Sequence, residues 1–396
     1  MWNGLARTTR STWRGLAAAS LGALSMEAMA AAETAEPPVR LGGSYVADAL
    51  SNTSGGIERG TAYMGKLELT VEADGAVIGL DGAQFYASAE QVHGRQLSAE
   101  LVGDGQTVSN IEAVPALRLF EAWVDAPLGD HASAKLGMID LNSEFDVQNV
   151  GGIFLNSSHG IGPEYAQSGL NGPSIFPTTA LGLVTRVGAG EWSARFAVFD
   201  AEAGDPDHPK RTVIRFPPKH GVLLAAEVER ALGEASAVKI GGWAYSSHFD
   251  AIDEVDAAGD PVRKRGSRGL YATIEGRLAG SAERGAFDGW LRVGIAEDEV
   301  NPIGSYFGGG VNYGTDASRF GFAISHARLG DPAIRAGIDA GDDPKRAETA
   351  LELTWARRVA PWLTLQPDLQ YVINPGWRAD LGDAFVAGVR FIFELP

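Results

Sequence analysis

Four polar side chains occupy every second position of the segment DLNSEFDV, residues 140–147: Asp140, Asn142, Glu144 and Asp146. Successive side chains of a strand point to opposite faces, so an extended chain would present these four together. Carboxylates accept hydrogen bonds, and amides both donate and accept them. Such a row is suited to binding a hydroxyl-rich, uncharged ligand. The same side chains could equally be ordinary solvated residues, and both interpretations stay open.

The row opens a long segment, 136–177, that is rich in Gly, Asn, Ser and Pro but keeps large apolar residues such as Ile153 and Phe154. Loops of this length are usually functional or disordered, and disordered segments seldom retain so many large apolar side chains. We therefore predict an ordered loop that packs against or inside another part of the fold. Asn156 lies within it and is a further candidate for ligand contact.

Three more polar side chains, Gln366, Asp368 and Gln370, share one face of the alternating segment 362–373. They can bind the same kind of ligand. They can also hydrogen-bond to neighbouring strands through residues such as Arg390, because buried polar groups are rarely left unpaired. The sequence excludes neither role.

Four further candidates lie on other predicted strands: Arg118, Glu121, Trp243 and Trp290. Arg118 and Glu121 are three positions apart, so regular pleating places them on opposite faces unless a bulge intervenes. An arginine that faces a carboxylate across a channel creates a transverse field and a polar clamp for hydroxyl groups. The two tryptophans could stack on the apolar face of a ring, or they could fill space and meet a loop.

No catalytic motif accompanies these residues. The sequence lacks H-E-x-x-H, G-x-S-x-G, Walker A and the dinucleotide glycine fingerprint. The seven histidines are scattered and there is no cysteine, which excludes thiol chemistry and thiolate metal sites. We expect no enzyme activity, no metal and no cofactor, although chance carboxylate pairs among 50 acidic residues do not by themselves exclude a glycosidase.

The elements that would position these residues are strands. From Gly65 onward the chain divides into segments of roughly ten residues separated by turn signals, as in a barrel or a sandwich. Apolar and polar side chains alternate within the segments, and the polar faces repeatedly hold charges. The clearest segments are 269–278, 286–296, 348–356, 362–373 and 384–395. A soluble β-sandwich gives the same alternation, so alternation alone does not distinguish a sandwich from a barrel.

Three features favour an all-β, transmembrane antiparallel β-barrel. Aromatic residues such as Trp192, Trp355 and Trp362 lie near segment ends, as in an interfacial girdle. Short connections alternate with long acidic ones, and the chain ends in an aromatic-rich amphipathic segment. About 340 barrel residues, at about 20 per strand with its connection, suit about 16 to 18 strands around an aqueous lumen.

The N-terminus has the pattern of a secretory signal peptide. Three arginines in the first 14 residues precede an apolar run, and Ala-Met-Ala at 28–30 is an A-x-A cleavage site. The run is shorter than the about 20 residues that span a bilayer, so we predict a signal over 1–30 that is cleaved near 30–32. Residues 31–60 are predicted to be a loosely ordered periplasmic segment, followed by the barrel over 61–396.

The charge and hydropathy of the remaining chain restrict its location and partners. The formal net charge of the full sequence is −17, and loss of residues 1–30 removes a net +2 and leaves −19, so a basic nucleic-acid-binding surface is not expected. The sequence after residue 30 has no run of 18 apolar residues, which excludes a helical membrane protein. Secretion together with a barrel of this size indicates the outer membrane of a Gram-negative bacterium.

Six stretches, in order along the chain, resemble the carbohydrate-selective porins of the OprB type. They are 108–113 (VSNIEA), 119–123 (LFEAW), 135–145 (KLGMIDLNSEF), 152–158 (GIFLNSS), 172–177 (GPSIFP) and 365–376 (LQPDLQYVINPG). The match departs from the family at His159, where an aromatic side chain is more usual.

This resemblance implies a 16-stranded outer-membrane barrel with inward-folded loops, through which glucose and related sugars diffuse passively. It implies a constriction loop at about 147–177. Asp140, Asn142, Glu144, Asp146 and Asn156 then become the side chains expected to meet the sugar. The expected partners are permeating carbohydrates, outer-membrane lipid and lipopolysaccharide.

Other interpretations remain at this point. One is a general porin whose acidic lumen favours cations. Another, of a different class, is a secreted β-sandwich that binds or cleaves polysaccharide. The sequence does not distinguish a monomer from a homotrimer.

Overall fold

Sixteen antiparallel strands form one closed barrel in the described part of the chain. A computed structural model describes residues 38–233 and 235–395, so the predicted signal peptide lies outside the described residues. The strand β1 pairs with both β2 and β16, and every other strand pairs with its neighbours in sequence. The predicted fold class and the strand number that the resemblance implied are confirmed.

The strands are β1 (Val39–Gly56), β2 (Gly60–Asp74), β3 (Gln84–Gly94), β4 (Ala116–Pro127), β5 (Ala132–Ile139), β6 (Ala180–Ala189), β7 (Trp192–Asp200), β8 (Val222–Gly233), β9 (Ser236–Val255), β10 (Pro261–Ser281), β11 (Gly285–Ala296), β12 (Ile303–Thr315), β13 (Ser318–Leu329), β14 (Ala347–Ala360), β15 (Leu363–Ile373) and β16 (Gly382–Leu395). The α-helices are α1 (Pro163–Ala166) and α2 (Asp331–Asp339). Short 3₁₀ helices cover Gly75–Ile78, Leu141–Ser143, Gly151–Ile153, Ser157–His159 and Pro375–Trp377, and a π turn covers Ser98–Val102. Neither α-helix is long and apolar enough to cross a membrane.

The predicted alternation determines which face of each strand points outward. In β10, Leu270 and Ile274 are exposed on the outer wall, whereas Tyr271 and Thr273 between them are buried in the lumen. The same alternation recurs in β11 and β15. The outer face is therefore apolar and the inner face polar, as a barrel in a bilayer requires.

The two ends of the barrel differ in their connections. At one end the strands are joined by short turns, such as 190–191, 282–284 and 361–362. At the other end lie the long connections 95–115, 140–179, 201–221 and 330–346. Short turns are typical of the periplasmic side and long loops of the external side.

The sequence analysis assigned residues 31–60 to a loosely ordered periplasmic segment. The structure differs, because Val39–Gly56 forms β1 and closes the barrel against Gly382–Leu395. The outward side chains of β1 include Gly43, Ala49 and Ser51, so its apolar alternation is too weak to be recognised.

Candidate functional site

The loop 140–179 lies inside the barrel, as expected of a constriction loop, but its first turn is not the extended chain that the sequence predicted. The strand β5 ends at Ile139, and residues Leu141–Ser143 form a 3₁₀ helix. The Asp140 carboxylate accepts a hydrogen bond from the backbone N–H of Asn142 at 2.9 Å. This local cap competes with strand geometry, as aspartate side chains commonly do. The alternating row 140–147 therefore does not share one face.

The first two members of that row stay partly accessible to solvent. The backbone N–H of Asp140 donates to Glu121 at 2.9 Å, and the Asn142 side-chain amide donates to the carbonyl oxygen of Phe145 at 3.1 Å. Burial, and then the neighbouring charge of Glu121, raise the pKa of Asp140 well above its ordinary value. Both causes favour the protonated form of the Asp140 carboxyl group.

Glu144 is buried in an ion-pair cluster. It contacts Lys135, and its second oxygen accepts from Arg186 Nε at 2.7 Å. Burial acts to raise the pKa of Glu144, but the hydrogen bonds and charges of Arg186 and Lys135 outweigh it and lower the pKa. Arg186 also donates to Asp125 at 2.7 Å. Glu144 is thus an ionised structural anchor whose acceptors are occupied.

Asp146 belongs to a fully buried charge cluster between the loop and β11. Arg292 donates to Asp146 at 2.7 and 2.9 Å, and it lies 2.7 Å from Glu164. The backbone N–H of Asp146 donates to Glu227 of β8 at 2.9 Å. These side chains are inaccessible to solvent or nearly so. The cluster fixes the loop to the wall and leaves no free acceptor on Asp146 for a solute.

Carboxylates on the barrel wall receive backbone N–H groups of the loop. Glu352 of β14 accepts from Leu155 at 2.6 Å and from Asn156 at 3.0 Å. Glu275 of β10 accepts from Val150 at 2.9 Å. A buried N–H must find an acceptor, so the wall carboxylates provide the loop with the partners that a strand would otherwise supply.

Aromatic contacts hold the distal half of the loop. The ring of Tyr165 stacks on Trp243 with centroids 5.1 Å apart and planes inclined by 8°. His159 lies between Phe154 and Trp290, at 5.1 and 5.6 Å. The structure thus places Trp243 and Trp290 against the loop, the second of the roles that the sequence analysis considered.

The preceding long connection, 95–115, also folds inward. Glu348 accepts from the backbone N–H groups of Gly105 at 2.8 Å and Gln106 at 2.9 Å. Ser109 donates to Asp48 at 2.6 Å, and Arg390 donates to the same carboxylate at 2.7 and 2.8 Å. Two loops rather than one therefore occupy the lumen.

The row on β15 supports both loops. Gln366 donates to the carbonyl oxygen of Ile153 at 2.6 Å, and Gln370 donates to that of Val108 at 2.9 Å. Gln370 also donates to Asp368 at 3.0 Å and accepts from Asn156 at 3.3 Å. These side chains are almost fully buried, so their hydrogen bonds are made within the protein.

A bulge brings Arg118 and Glu121 to the same face. The pairing of β3 with β4 shifts by one residue between Ser88 and Ala89, opposite residues 119–121. Arg118 is buried and donates to the carbonyl oxygen of Pro209, at 3.2 Å from Nε. Glu121 accepts from Trp123 at 3.1 Å. Arg118 therefore anchors the connection 201–221, whereas Glu121 stays near the open part of the lumen.

The lumen residues that remain partly exposed include an aromatic pair on β3 and β4. Tyr86 and Trp123 stack with centroids 5.0 Å apart and planes inclined by 20°. Lys135 Nζ lies 4.1 Å from the centroid of the Trp123 ring, and Glu121 accepts from its indole N–H. The sequence analysis missed this pair. Trp123 closes the matched stretch 119–123, and Tyr86 alternates with Ser88 and Glu90, which is the signal that could have found them.

Several other accessible charges of the lumen are paired. Arg195 lies 3.1 Å from Glu229, and Arg319 lies 2.8 Å from Asp288. Within residues 38–233 and 235–395, no three His, Asp or Glu side chains converge to form a metal-ion site. The accessible lumen therefore offers hydrogen-bonding groups of both signs, many of them in ion pairs.

His159 makes the loop's stability depend on pH. Burial lowers the pKa of His159 to about 3. Neither ring nitrogen makes a hydrogen bond among the described residues, and Nε2 lies 3.5 Å from a carboxylate oxygen of Glu352. Unfolded histidine titrates near 6.5, so stability is fully present above that pH and is lost as the pH falls toward 3.

Replacing His159 with phenylalanine should keep the ring contacts and remove this dependence. Between about pH 7 and about pH 5, the wild type should lose about 2 kcal/mol relative to His159→Phe. The comparison is made on the thermal stability of the folded protein in detergent at both pH values. Carboxyl groups titrate in both proteins and cancel in the comparison. If the difference in stability between wild type and His159→Phe is the same at both pH values, His159 is not the source of the pH dependence.

The geometry is matched by known proteins. Residues 58–395 match the family described as carbohydrate-selective porin, OprB family. Porin B of Pseudomonas aeruginosa is 24% identical over 402 residues, which cover 87% of this chain and 85% of that protein. The high-pH structure of Pseudomonas putida OprB superposes with a TM-score of 0.81 at 17% identity, covering 90% of this chain and 94% of that one.

The low-pH structure of Pseudomonas putida OprB also shares the fold, with a TM-score of 0.55 at 14% identity and coverages of 90% and 93%. The family match spans nearly the whole barrel. The resemblance noted in the sequence is confirmed, and the chain belongs to the carbohydrate-selective porins of the OprB family.

Proposed function

We propose that this chain forms a passive outer-membrane channel through which glucose-like sugars diffuse down their gradient. The observation that carries the proposal is the lumen itself, in which two anchored loops leave the stacked pair Tyr86 and Trp123 beside paired charges. The closed barrel excludes the alternative of a β-sandwich. We expect no hydrolysis of the permeant, since nothing in this lumen distinguishes a catalytic carboxylate pair from the structural ones.

The pairing of lumen charges favours neutral permeants. Wall carboxylates such as Glu227, Glu275 and Glu352 accept loop N–H groups or pair with basic residues. These lumen carboxylates therefore each have a hydrogen-bond donor or a basic partner within the protein. A neutral, hydroxyl-rich solute can exchange water for hydrogen bonds with both partners of an ion pair, while an ion gains less. This argues against a general cation-preferring porin.

Tyr86 and Trp123 supply an apolar surface for the C–H face of a sugar ring. Both side chains combine an apolar body with a polar tip. Glu121 accepts from the indole N–H of Trp123, and Lys135 Nζ lies over the Trp123 ring, so the pair offers a sugar the outer face of Tyr86 and the edge of Trp123. We assign to Asp140 and Asn142, which stay partly accessible, the role of additional hydroxyl contacts. Binding at such a site is weak, which is what a high-throughput channel requires.

Substitution of Trp123 tests the assignment. Trp123→Ala should weaken the block of ion current by glucose about three- to tenfold, since an aromatic contact contributes roughly 0.5–1.5 kcal/mol. The block is measured in planar bilayers. Trp192→Ala, which removes an exposed tryptophan of the outer wall, is the control and should leave the block unchanged. An equal block in wild type and Trp123→Ala would remove this pair from the site.

The function itself is tested in liposomes. Purified protein should admit glucose faster than a sugar-acid anion of similar size, and ion selectivity from reversal potentials should be modest. Strong cation selectivity without glucose block would favour the general porin, and the absence of permeability to either solute would overturn the proposal. Oligomeric state, monomer or homotrimer, stays a prediction that native mass measurement can decide.

A further inference from the structure

The barrel wall is lowest at three consecutive strands. β5 has 8 residues, β6 has 10 and β7 has 9, whereas β9 and β10 have 20 and 21. At a rise of about 3.3 Å per residue and a tilt of about 40°, 8 residues span only about 20 Å of the membrane normal. The apolar belt of an outer-membrane barrel is about 25 Å tall. Something other than strand must complete the wall here.

The connection 201–221 fills this position. The strand β4 pairs with β5 only over residues 122–127, which leaves residues 116–121 without a strand partner on that side. Thr212 Oγ1 accepts from the backbone N–H of Leu119 at 2.9 Å and lies 3.2 Å from its carbonyl oxygen. The carbonyl oxygen of Pro209 accepts from Arg118. The connection therefore covers the open edge of β4 at the height of the wall.

The outward side of the connection is apolar. Phe216 is 89% exposed and Ile214 is 59% exposed, and Leu117 on the adjacent edge of β4 is 69% exposed. Side chains of this size are not left in water as a group without a reason. At the long-loop end of the barrel, they complete the apolar belt on the side of the outer leaflet.

The same connection carries cations without carboxylate partners. Lys210, Arg211 and Lys219 are exposed, and none forms an ion pair with a residue in the described ranges. Two of the connection's three acidic residues, Glu202 and Asp205, are engaged with other basic groups of the same segment. Other exposed cations without an ion pair, such as Arg265, Arg284 and Arg357, lie on separate elements, so among the described residues the connection 201–221 holds the largest group of them.

We propose that the connection 201–221 binds a phosphorylated, multiply acylated glycolipid of the lipid A type in the outer leaflet. Lys210, Arg211 and Lys219 neutralise its phosphates, and Ile214, Phe216 and Leu117 contact its acyl chains. Cations beside an anionic lipid surface each contribute favourably to binding, and acyl chains contribute in proportion to the apolar area covered. The inference uses the barrel's location in the outer membrane and does not depend on which solute permeates.

The test uses the full-length mature protein in detergent and native mass spectrometry with diphosphoryl lipid A. The variant K210A/R211A/K219A should bind roughly 10- to 100-fold more weakly than wild type. The control R230A/R284A/R357A also removes three positive charges, but from exposed positions toward the short-turn end of the barrel. It should bind lipid A like wild type. Wild type should bind lipid A more tightly than phosphatidylglycerol.

A second variant keeps every charge. I214S/F216S should weaken binding of lipid A but leave binding of its deacylated, phosphorylated disaccharide unchanged. Equal affinity in wild type and the charge variant, an equal loss in the control, or equal binding of phosphatidylglycerol would overturn the proposal. A dimer or trimer that forms without lipid and is abolished in the charge variant would also overturn the proposal. The connection 201–221 would then be an interface between copies of the chain.

Discussion

Replacing Glu352 with leucine is expected to widen the channel. The carboxylate is almost fully buried and accepts the N–H groups of Leu155 and Asn156. Leucine is of similar size but leaves both donors unpaired, at a cost of about 1–3 kcal/mol each. The central part of the loop 140–179 should then leave the wall, because no strand neighbour can replace the lost acceptor.

Conductance in planar bilayers and sugar uptake by liposomes measure the effect. Single-channel conductance should rise by about twofold or more, because the two hydrogen bonds that hold the loop are lost. A trisaccharide that the wild-type channel excludes should enter the liposomes. Glu229→Leu removes a lumen carboxylate that pairs with Arg195 and has no hydrogen bond to the loop, so it is the matched control. If Glu352→Leu keeps the wild-type conductance and still excludes the trisaccharide, other contacts hold the loop.

Replacing Arg292 with leucine should have the largest effect on stability. Arg292 is fully buried between Asp146 and Glu164. Its removal leaves two buried carboxylates without a counter-ion, and breaking a buried pair in this way costs about 3–5 kcal/mol. The barrel strands do not depend on the loop for their ladder, so we expect a folded barrel with a displaced loop.

The temperature at which the folded band disappears on a detergent gel, together with protease cleavage within 140–179, reports the change. Arg277→Leu disrupts an ion pair of a partly exposed arginine and should cost less than about 1 kcal/mol. Adding Asp146→Asn and Glu164→Gln to Arg292→Leu removes the uncompensated charges and should restore much of the stability. Equal stability of the Arg277 and Arg292 variants would contradict the assigned role of the cluster.

The strands were predictable because their signal is local. Leu270, Ile274 and Leu278 repeat every four residues along one face, and the polar side chains between them face the lumen. Alternation requires no knowledge of distant residues. It failed at β1, whose outward side chains are small, and at 140–147, where Asp140 caps a 3₁₀ turn. In both places short side chains or local hydrogen bonds remove the difference between the two faces of the strand.

The roles of the candidate site residues were not predictable for a different reason. Gln366 and Gln370 lie on the expected face, but their partners Ile153 and Val108 are more than 200 residues away in sequence. Asp146 and Asn156 were selected as polar groups, and their chemistry is indeed hydrogen bonding, yet their partners are Arg292 and wall residues. Residue type indicates what bonds a side chain can make, whereas tertiary contacts decide with which group it makes them.

The position of the loop anchors along the chain also constrains assembly. Glu348 and Glu352 belong to β14, Gln370 to β15 and Arg390 to β16, and their loop partners lie as far as 281 residues away. Neither inward loop can reach its final place before these last strands have arrived. Loop docking and barrel closure are thus a single late event, and contacts of such long sequence separation are slow to form. A barrel interrupted before β14 would carry two undocked loops. The carboxyl and apolar groups of these loops, which are buried in the complete barrel, would then be exposed. Incomplete chains are therefore targets for periplasmic proteolysis.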